Sequence, residues 1–323
     1  MGNSILSVII PFFQKKTGLI TKAVQSVFNQ QNFDDFDIIV VDDGSPVSAK
    51  EELASLLIQY PEKLKIIEQV NQGPGAARNT GLNSLPQTRE YVAFLDSDDI
   101  WEPVHLKNAL DVLNRGYDFY FSNLFHIGRD ISAFDREQKI KYPTRLRSHE
   151  MKPIDGLDEK YEFLGDMFDR ILFSGNILLP PTIVYKFSSY PETRFQTSFR
   201  HMGEDYIFFA DLAMLKPKYA FSWTPEVRCG RGVNIFVNSG WGSDTFLDRL
   251  CDEMRFRRQV EQRFSLTEEQ QLKNNQKIQR IRKDFVRALF GHCKRAQFHK
   301  LAKISKIQKD DGHFFQNLFG GKG

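Results

Sequence analysis

Short apolar runs alternate with amphipathic stretches over residues 1–123 of the chain. Five runs have the length and composition of buried strands, at 6–10, 36–41, 64–68, 91–95 and 119–122. The segments between them carry helical signals at 20–28, 48–59, 76–85 and 104–113, and Ser48 with Glu51 forms a capping box that opens the second of these. Repeated strand-helix order predicts an α/β fold with a mostly parallel sheet flanked by helices.

The second half of the chain changes character twice. Residues 124–200 mix charges and aromatics, so we expect a loop-rich region in which a short strand over 182–185 follows Pro180-Pro181. Helical patterns then return over 245–261 and over 298–307. Between them, a capping box at Thr267 and Gln270 opens a further helical pattern. The pattern predicts one domain over residues 1–242 and a helical C-terminal extension over 243–323.

Composition excludes several classes of protein. With 41% hydrophobic and 26% charged residues in 323, the chain is typical of a globular protein. It has no apolar run long enough to span a membrane and no N-terminal signal peptide, and its three scattered cysteines favour a reducing, cytoplasmic compartment.

Positive charge is concentrated at the C-terminal end. Residues 271–323 hold 13 Lys or Arg and three Asp, a net charge of +10, although the whole chain carries only +3. This tail suits an anionic membrane surface, and it equally suits a helical face that packs on the rest of the chain. Nucleic-acid binding is not expected, because the sequence contains no recognisable nucleic-acid-binding module.

An aspartate cluster follows the fourth predicted strand directly. Asp96, Asp98 and Asp99 lie within four residues, and mutual repulsion favours a bound cation such as Mg²⁺ or Mn²⁺. Helix capping is the alternative explanation for one of them, because Asp99 and Glu102 have the spacing of an N-cap and its reciprocal partner. Capping explains one aspartate and leaves two for a cation.

Polar clusters also follow the second and third predicted strands. Asp42-Asp43-Gly44-Ser45 is either a simple turn or a set of acceptors for a nucleoside. Gly73-Pro74-Gly75 with Arg78 resembles the dinucleotide fingerprint only weakly, but glycines before a helix and an arginine favour a phosphate. The alternative is that the proline and glycines only end one structural element and that Arg78 is a charge on the surface.

Two later motifs are candidates for catalysis. Glu204 and Asp205 precede an apolar helix, where the helix dipole alone would favour them and where one could act as a general base. Arg228 and Arg231 lie in a glycine-containing stretch that either closes over a diphosphate or forms an ordinary surface loop.

Taken together, these motifs closely resemble glycosyltransferase family 2, in order and in spacing. The resemblance rests on Ser7-Val8-Ile9-Ile10-Pro11, Val40-Val41-Asp42-Asp43-Gly44-Ser45, Asn71-Gln72-Gly73-Pro74-Gly75-Ala76-Ala77-Arg78-Asn79-Thr80-Gly81, Phe94-Leu95-Asp96-Ser97-Asp98-Asp99 and Gly203-Glu204-Asp205.

The resemblance implies a GT-A fold and metal-dependent hexosyl transfer, with inversion, from a nucleotide-diphospho-sugar, most simply a UDP-sugar. The acceptor would be a hydroxyl of a saccharide or a lipid-diphosphate-linked saccharide in bacterial surface-polysaccharide synthesis, such as O-antigen or capsule. A cytoplasmic enzyme is expected, with peripheral attachment to the inner face of the cytoplasmic membrane through residues 271–323 as an option.

Residue roles follow by position in the family motifs. Asp205 would be the catalytic base, with Glu204 as the alternative, and Asp98 with Asp96 would bind Mn²⁺ or Mg²⁺, with Asp99 as a further candidate. The residues that would bind the nucleotide-sugar are Pro11, Phe12, Asp42, Asp43, Arg78, Asp96, Ser97, Asp98 and Arg231.

Two other functions stay open from sequence. A dinucleotide-dependent oxidoreductase of the NAD(P) type would use the glycine-rich turn and bind nicotinamide without metal. An inactive nucleotide-sugar-binding protein would keep the donor site and show no turnover.

Overall fold

The chain forms two compact units in a computed structural model, which describes residues 4–126, 128–142, 145–199, 203–230, 240–312 and 314. The first unit comprises Met1–Thr197 and Phe208–Val233, and the second comprises Ser198–Ile207 and Asn234–Gly323. Assignment of catalysis to residues 1–242 and of an accessory role to 243–323 stays a prediction.

A ten-stranded sheet forms the centre of the first unit. Its strands are β1 (Leu6–Phe12), β2 (Phe36–Asp42), β3 (Leu64–Glu68), β4 (Tyr91–Phe94), β5 (Ile100–Trp101), β6 (Phe119–His126), β7 (Met151–Pro153), β8 (Lys160–Phe163), β9 (Ile183–Lys186) and β10 (Tyr219–Cys229). They lie in the order β3-β2-β1-β4-β9-β6-β10-β8-β7, and β5 pairs with β10.

The sheet is parallel at one side and mixed at the other. Strands β3, β2, β1 and β4 run parallel, as the alternating pattern predicts. Strand β9 enters between β4 and β6 antiparallel to both, whereas β10 is parallel to β6. The short strands β5, β7 and β8 add antiparallel pairs, so the predicted α/β class is confirmed, and the later part of the sheet is mixed.

Eleven α-helices occur among the residues that the structure describes. They are α1 (Leu19–Phe28), α2 (Ala49–Glu52), α3 (Ala54–Gln59), α4 (Pro74–Asn83), α5 (His105–Leu113), α6 (Ala133–Lys139), α7 (Met167–Asp169), α8 (Glu204–Met214), α9 (Phe246–Arg263), α10 (Glu268–Lys294) and α11 (Lys303–Asp310).

Helices cover both faces of the parallel strands because successive side chains point to opposite sides. Val8 and Ile10 pack in the core with Val24 of α1. On the other face, α4 approaches so closely that a Cβ on its Gly81 would lie 2.5 Å from Ile9 Cγ2. The strands are therefore buried on both sides, as their continuous apolar runs require.

The expected N-cap at Asp99 is wrong. Helix α5 begins only at His105, and Ile100–Trp101 is extended as β5, with Ile100 opposite Arg228 and Trp101 opposite Val227. A second helical prediction is also corrected in part: the Ser48 hydroxyl accepts the Glu51 N–H at 3.3 Å as an N-cap, but no reciprocal bond from the Glu51 side chain is seen in this described part of the chain, and the segment breaks into α2 and α3 at Leu53. Tertiary pairing with β10 overrides the local capping signal at Asp99.

The second unit has its own core, formed by α9, α10 and α11. Leu250 and Met254 of α9 pack in one cluster with Ile281 and Phe285 of α10 and Ile307 of α11. The capping box at Thr267 and Gln270 opens α10 as predicted. Among the residues that the structure describes, no helix combines the length and apolarity needed to cross a membrane.

Candidate active site

The carboxyl ends of β1, β2 and β4 meet at one edge of the sheet. Pro11 and Phe12 close β1, and Phe12 lies opposite Asp42 at the end of β2. Gln14, two residues beyond β1, donates from Nε2 to the Ser97 hydroxyl at 2.9 Å. Parallel topology thus brings the first, second and fourth strand-end motifs together, where open α/β sheets bind ligands.

Asp42 shapes the turn after β2. Its Oδ1 accepts the Ser45 N–H at 2.8 Å, and its Oδ2 accepts the Ala49 N–H at the start of α2 at 3.0 Å. Both oxygens therefore serve the backbone, in agreement with an Asx turn. Asp42 supports the loop on which Asp43 is presented.

Asp43 links two of the strand-end loops. Its Oδ1 accepts from Gln69 Nε2 at 2.7 Å and from the Gln72 N–H at 2.8 Å, and its Oδ2 accepts the Gly73 N–H at 2.8 Å. The residue is 3% exposed. A buried carboxylate with three donors fixes the start of the glycine-rich turn relative to β2.

Arg78 lies beneath the aspartate cluster. Its Nη2 donates to Asp96 Oδ1 at 2.7 Å, and its guanidinium carbon lies 5.2 Å from the centroid of the Phe195 ring. Arg78 is 4% exposed, so this contact is shielded from water. The alternative that Arg78 is a surface charge is wrong.

The three aspartates have different surroundings. Asp96 is 34% exposed at its side chain and pairs with Arg78, and Asp98 is half-buried. Asp99 is 5% exposed, and its Oδ1 accepts the Gly230 N–H at 2.7 Å. The end of β10 is thereby fixed to the aspartate turn.

Negative charge accumulates at this turn. Burial raises the pKa of Asp99 well above its usual range, and the charges of Asp96 and Asp98 raise it further. Burial likewise raises the pKa of the Cys229 thiol, with the same three aspartates adding to the effect. A site with these shifts is stabilised by any cation that approaches it.

The side chains fit a divalent cation that a ligand helps to hold. Among the described residues, no group of three or more His, Cys, Asp or Glu is arranged to hold a metal by itself. Mg²⁺ needs only one or two carboxylates when phosphate oxygens and water complete its octahedron. Asp98, with Asp96 beside it, can supply those oxygens, whereas Asp99 is directed to Gly230.

The remaining predicted residues are Glu204, Asp205 and Arg231. Glu204 and Asp205 occupy the first turn of α8 and belong to the second unit, and Asp205 Oδ1 accepts the Tyr206 N–H at 2.8 Å. Arg231 lies outside the described residues. Arg228 is described, and its Nε donates to Glu102 Oε1 at 2.5 Å.

Sequence reasoning missed Gln14, Gln69 and Gly230. Gln14 is 2% exposed although it is polar and follows a strand, and Gln69 connects Asp43 to the Thr80 hydroxyl. A polar residue just after each strand end was the available signal for both glutamines. Gly230 had no such signal, because its partner Asp99 lies 131 residues earlier.

Comparison with known proteins shows the family of the chain. Residues 7–169 match the family model described as "Glycosyl transferase family 2". A succinoglycan biosynthesis protein, ExoW of Rhizobium meliloti, is 32% identical over 250 residues, which cover 75% of this chain and 74% of that protein. The chain belongs to glycosyltransferase family 2. It is a glycosyltransferase, and the oxidoreductase alternative is set aside.

Another relative matches over a shorter length. The minor teichoic acid biosynthesis protein GgaA of Bacillus subtilis is 36% identical over 118 residues. That match covers 36% of this chain and only 25% of GgaA. The names of these two relatives assign them to the biosynthesis of succinoglycan and of minor teichoic acid.

Solved structures share the fold. Residues 1–349 of TarS from S. aureus, in complex with UDP-GlcNAc, superpose with a TM-score of 0.58 at 21% identity, covering 97% of this chain and 81% of TarS 1–349. A mannosyltransferase from Pyrobaculum calidifontis with GDP-Man and Mn²⁺ gives a TM-score of 0.55 at 15% identity, covering 94% and 80%. The fold is GT-A.

Proposed function

We propose that this glycosyltransferase transfers a sugar from a UDP-sugar to a hydroxyl of a saccharide or lipid-linked saccharide, with inversion at the anomeric carbon. The observation that carries the proposal is the convergence of Asp43, Arg78 and Asp96–Asp98 at one sheet edge. The GT-A neighbour TarS with bound UDP-GlcNAc supports a uridine nucleotide, whereas the GDP-Man complex is the competing precedent.

The nucleoside would bind above Pro11, Phe12 and the loop that Asp43 fixes. Asp43 uses its carboxylate to position the Gln72–Gly73 backbone, so its role includes shaping the pocket for the base. The hydrogen bond from Arg78 would hold Asp96 in position for the ribose or diphosphate. Ser97 is fixed by Gln14 between these groups.

Metal dependence is part of the proposal. Asp98 and Asp96 would hold Mn²⁺ or Mg²⁺ together with the diphosphate, and the bound ion would neutralise charge on the leaving group. The Mn²⁺ complex of the archaeal mannosyltransferase supports this assignment. Asp99 stays a weaker candidate because its carboxylate faces the Gly230 N–H.

Asp205 is proposed as the general base. Its carboxylate would take the proton of the acceptor hydroxyl as that oxygen attacks the anomeric carbon and the nucleoside diphosphate leaves. Glu204, its neighbour in the first turn of α8, is the alternative. No covalent intermediate on the enzyme is required for a single displacement with inversion.

The proposed acceptor belongs to surface-polysaccharide assembly, such as O-antigen or capsule. The names of ExoW and GgaA support polymer biosynthesis as the setting. A lipid-diphosphate-linked acceptor would bring the enzyme to the inner face of a membrane, so peripheral attachment through residues 271–323 is included in the proposal.

Two paired variants test this function. Asp98→Asn should abolish the Mn²⁺-dependent part of UDP-GlcNAc affinity in calorimetry, because an amide is a poor ligand for a hard cation. Asp205→Asn should keep that affinity and lower the rate of sugar transfer about 10²- to 10⁴-fold. Asp34→Asn, an exposed carboxylate before β2, is the matched control.

The outcomes separate the roles. Unchanged Mn²⁺-dependent binding by Asp98→Asn would remove the metal assignment. Full turnover by Asp205→Asn would move the base to Glu204 or to another residue. If the wild-type chain binds donor but transfers to no acceptor in a saccharide panel, the inactive donor-binding alternative replaces the proposal.

A further inference from the structure

The positive charge of the C-terminal tail is divided between two environments. Lys303 and Lys306 both contact Asp248 of α9, at 2.7 and 3.0 Å, and Arg282 contacts Asp311 at 2.7 Å. Arg282 is 3% exposed. These bases connect the helices of the second unit, and carboxylates of the same unit neutralise them. The tail therefore acts in part as a packed helical face.

A different set of bases lies on the outer face of α10. Lys283, Arg287, Phe290 and Lys294 are spaced four, three and four residues apart, which places them on one side of the helix. The opposite side carries the buried Ile278, Ile281, Phe285 and Ala288. We call Lys283, Arg287, Phe290 and Lys294 the α10 outer face.

The outer face is open and poorly neutralised. Phe290 is 66% exposed, and the side chain of Arg287 is 70% exposed with its Nη1 3.7 Å from Asp284. Within the described chain, Lys283 and Lys294 have no carboxylate at ion-pair distance. The α10 outer face therefore combines an exposed aromatic ring with three cations.

Apolar exposure continues after α10 ends. The 3-10 helix Phe298–Ala302 has no buried residue, and its Phe298 is 61% and its Leu301 41% exposed. The same helix contacts α10. Apolar rings and long basic side chains thus lie together at one end of the second unit.

We propose that the α10 outer face binds the surface of an anionic lipid bilayer. Phe290 would enter the headgroup region, and the basic side chains would extend toward lipid phosphates while their alkyl stems lie along the apolar boundary. Positive charge opposite anionic headgroups supplies the complementarity. The α10 outer face would bring this chain to the membrane that carries the proposed lipid-linked acceptor, and in this respect the inference rests on the proposed function.

Vesicle sedimentation of the full chain tests the proposal. Vesicles of phosphatidylglycerol and phosphatidylcholine in equal parts should bind the wild type, and pure phosphatidylcholine vesicles should bind it far less. The triple variant Lys283→Gln, Arg287→Gln, Lys294→Gln should bind anionic vesicles about 100-fold more weakly, because each base near such a surface raises the affinity about fivefold. Phe290→Ala should weaken binding about tenfold.

Matched controls remove the same charge and apolar area elsewhere. Lys65→Gln, Lys139→Gln, Lys141→Gln removes three exposed bases of the first unit, and Ile140→Ala removes an exposed apolar side chain. Both controls should bind vesicles like the wild type. Equal losses in the two triple variants would overturn the proposal in favour of general charge attraction.

Two further measurements distinguish lipid binding from self-association of the chain and from loss of the donor site. Self-association in the absence of vesicles that Phe290→Ala abolishes would assign the face to a second copy of the chain and overturn the lipid assignment. UDP-GlcNAc affinity should be unchanged in every vesicle variant, because the α10 outer face is proposed for lipid alone. Loss of vesicle binding with intact donor affinity thus supports the inference independently of the transfer reaction.

Discussion

Gly230 shows how closely the end of β10 approaches the aspartate turn. A Cβ at this position would lie 2.1 Å from the Asp98 carbonyl oxygen and 2.9 Å from Asp98 Oδ2. Its N–H meanwhile donates to Asp99 Oδ1 at 2.7 Å. Only a residue without a side chain allows both the contact and the hydrogen bond.

Replacement of Gly230 should therefore disturb the proposed metal and diphosphate end of the site. In Gly230→Ala the backbone of Asp98 must shift, and we expect at least a tenfold loss of Mn²⁺-dependent UDP-GlcNAc affinity by calorimetry, equivalent to about 1–3 kcal/mol of strain. Gly291→Ala is the control, because a Cβ there meets no atom within 4 Å and alanine favours a helix. Unaltered affinity in Gly230→Ala would show that the turn tolerates displacement.

Glu226 is a second residue whose importance appears only in three dimensions. It is 0% exposed, and its carboxylate accepts from Tyr120 Oη at 2.7 Å and from Asn108 Nδ2 at 2.6 Å, with His105 Nδ1 at 3.0 Å. Burial, and then the Glu226 charge, raise the pKa of Tyr120 well above its usual range. The network joins β10 to β6 and α5.

Glu226→Gln should destabilise the first unit. The amide places an N–H donor where the carboxylate has an acceptor oxygen, and the groups that face it are donors themselves. We therefore expect the free energy of unfolding, measured with urea, to fall by about 2–4 kcal/mol. Glu102→Gln removes a carboxylate that pairs with Arg228, which is 55% exposed, and should cost about 1 kcal/mol or less. Equal effects of the two variants would contradict a special role for the buried network.

At the scale of elements, α10 and the end of α11 are joined by a buried ion pair. Asp311 is 1% exposed and accepts from Arg282 Nε at 2.7 Å and from Arg258 Nη2 at 2.9 Å. Burial alone would raise the Asp311 pKa, but the hydrogen bonds and charges of Arg282 and Arg258 outweigh it, and the pKa is lowered.

A lowered carboxyl pKa fixes the direction of the pH dependence. The Asp311 ion pair stabilises the folded state at pH values above the ordinary carboxyl pKa. This stabilisation is lost as the pH falls from about 4 through the lower pKa that Asp311 has in the native state. Hydrogen exchange of α10 and α11 should accelerate over that range. In Asp311→Asn the free energy of unfolding should already be lower by about 3–5 kcal/mol at neutral pH. The double variant Arg282→Met, Asp311→Leu should lose less, because it leaves no buried charge unpaired.

Elements that depend on local pattern were predictable, and those that depend on distant partners were not. Strands β1 to β4 follow from continuous apolar runs, the capping box at Thr267 forms as expected, and Ser48 caps α2 without the reciprocal bond from Glu51. Strand β5 is two residues long and exists because β10 pairs with it, which no local signal near Asp99 reveals.

At the scale of the whole molecule, donor choice should be visible in thermal stability. A ligand that binds the native state raises its stability by mass action, by about 2.7 kcal/mol at a concentration of 100 Kd. We expect UDP-GlcNAc or another UDP-sugar with Mn²⁺ to raise the unfolding temperature, and EDTA to remove most of the shift. Asp98→Asn in the same screen is the matched control. A shift with GDP-mannose alone would overturn the uridine assignment and leave the family assignment intact.

The sequence by itself determined the family, the order of the strand-end motifs and the kind of chemistry they suit. These follow from apolar runs, turn residues and clustered carboxylates, which are local properties of the chain. Tertiary structure decided which polar groups meet: Gln14 reaches Ser97, the buried Arg78 contacts Asp96, and the Gly230 N–H donates to Asp99. It also divided the tail's charge between internal ion pairs and the α10 outer face. The physical reason is that hydrogen bonds and burial depend on distances in space between residues far apart in the chain, and periodicity records only near neighbours.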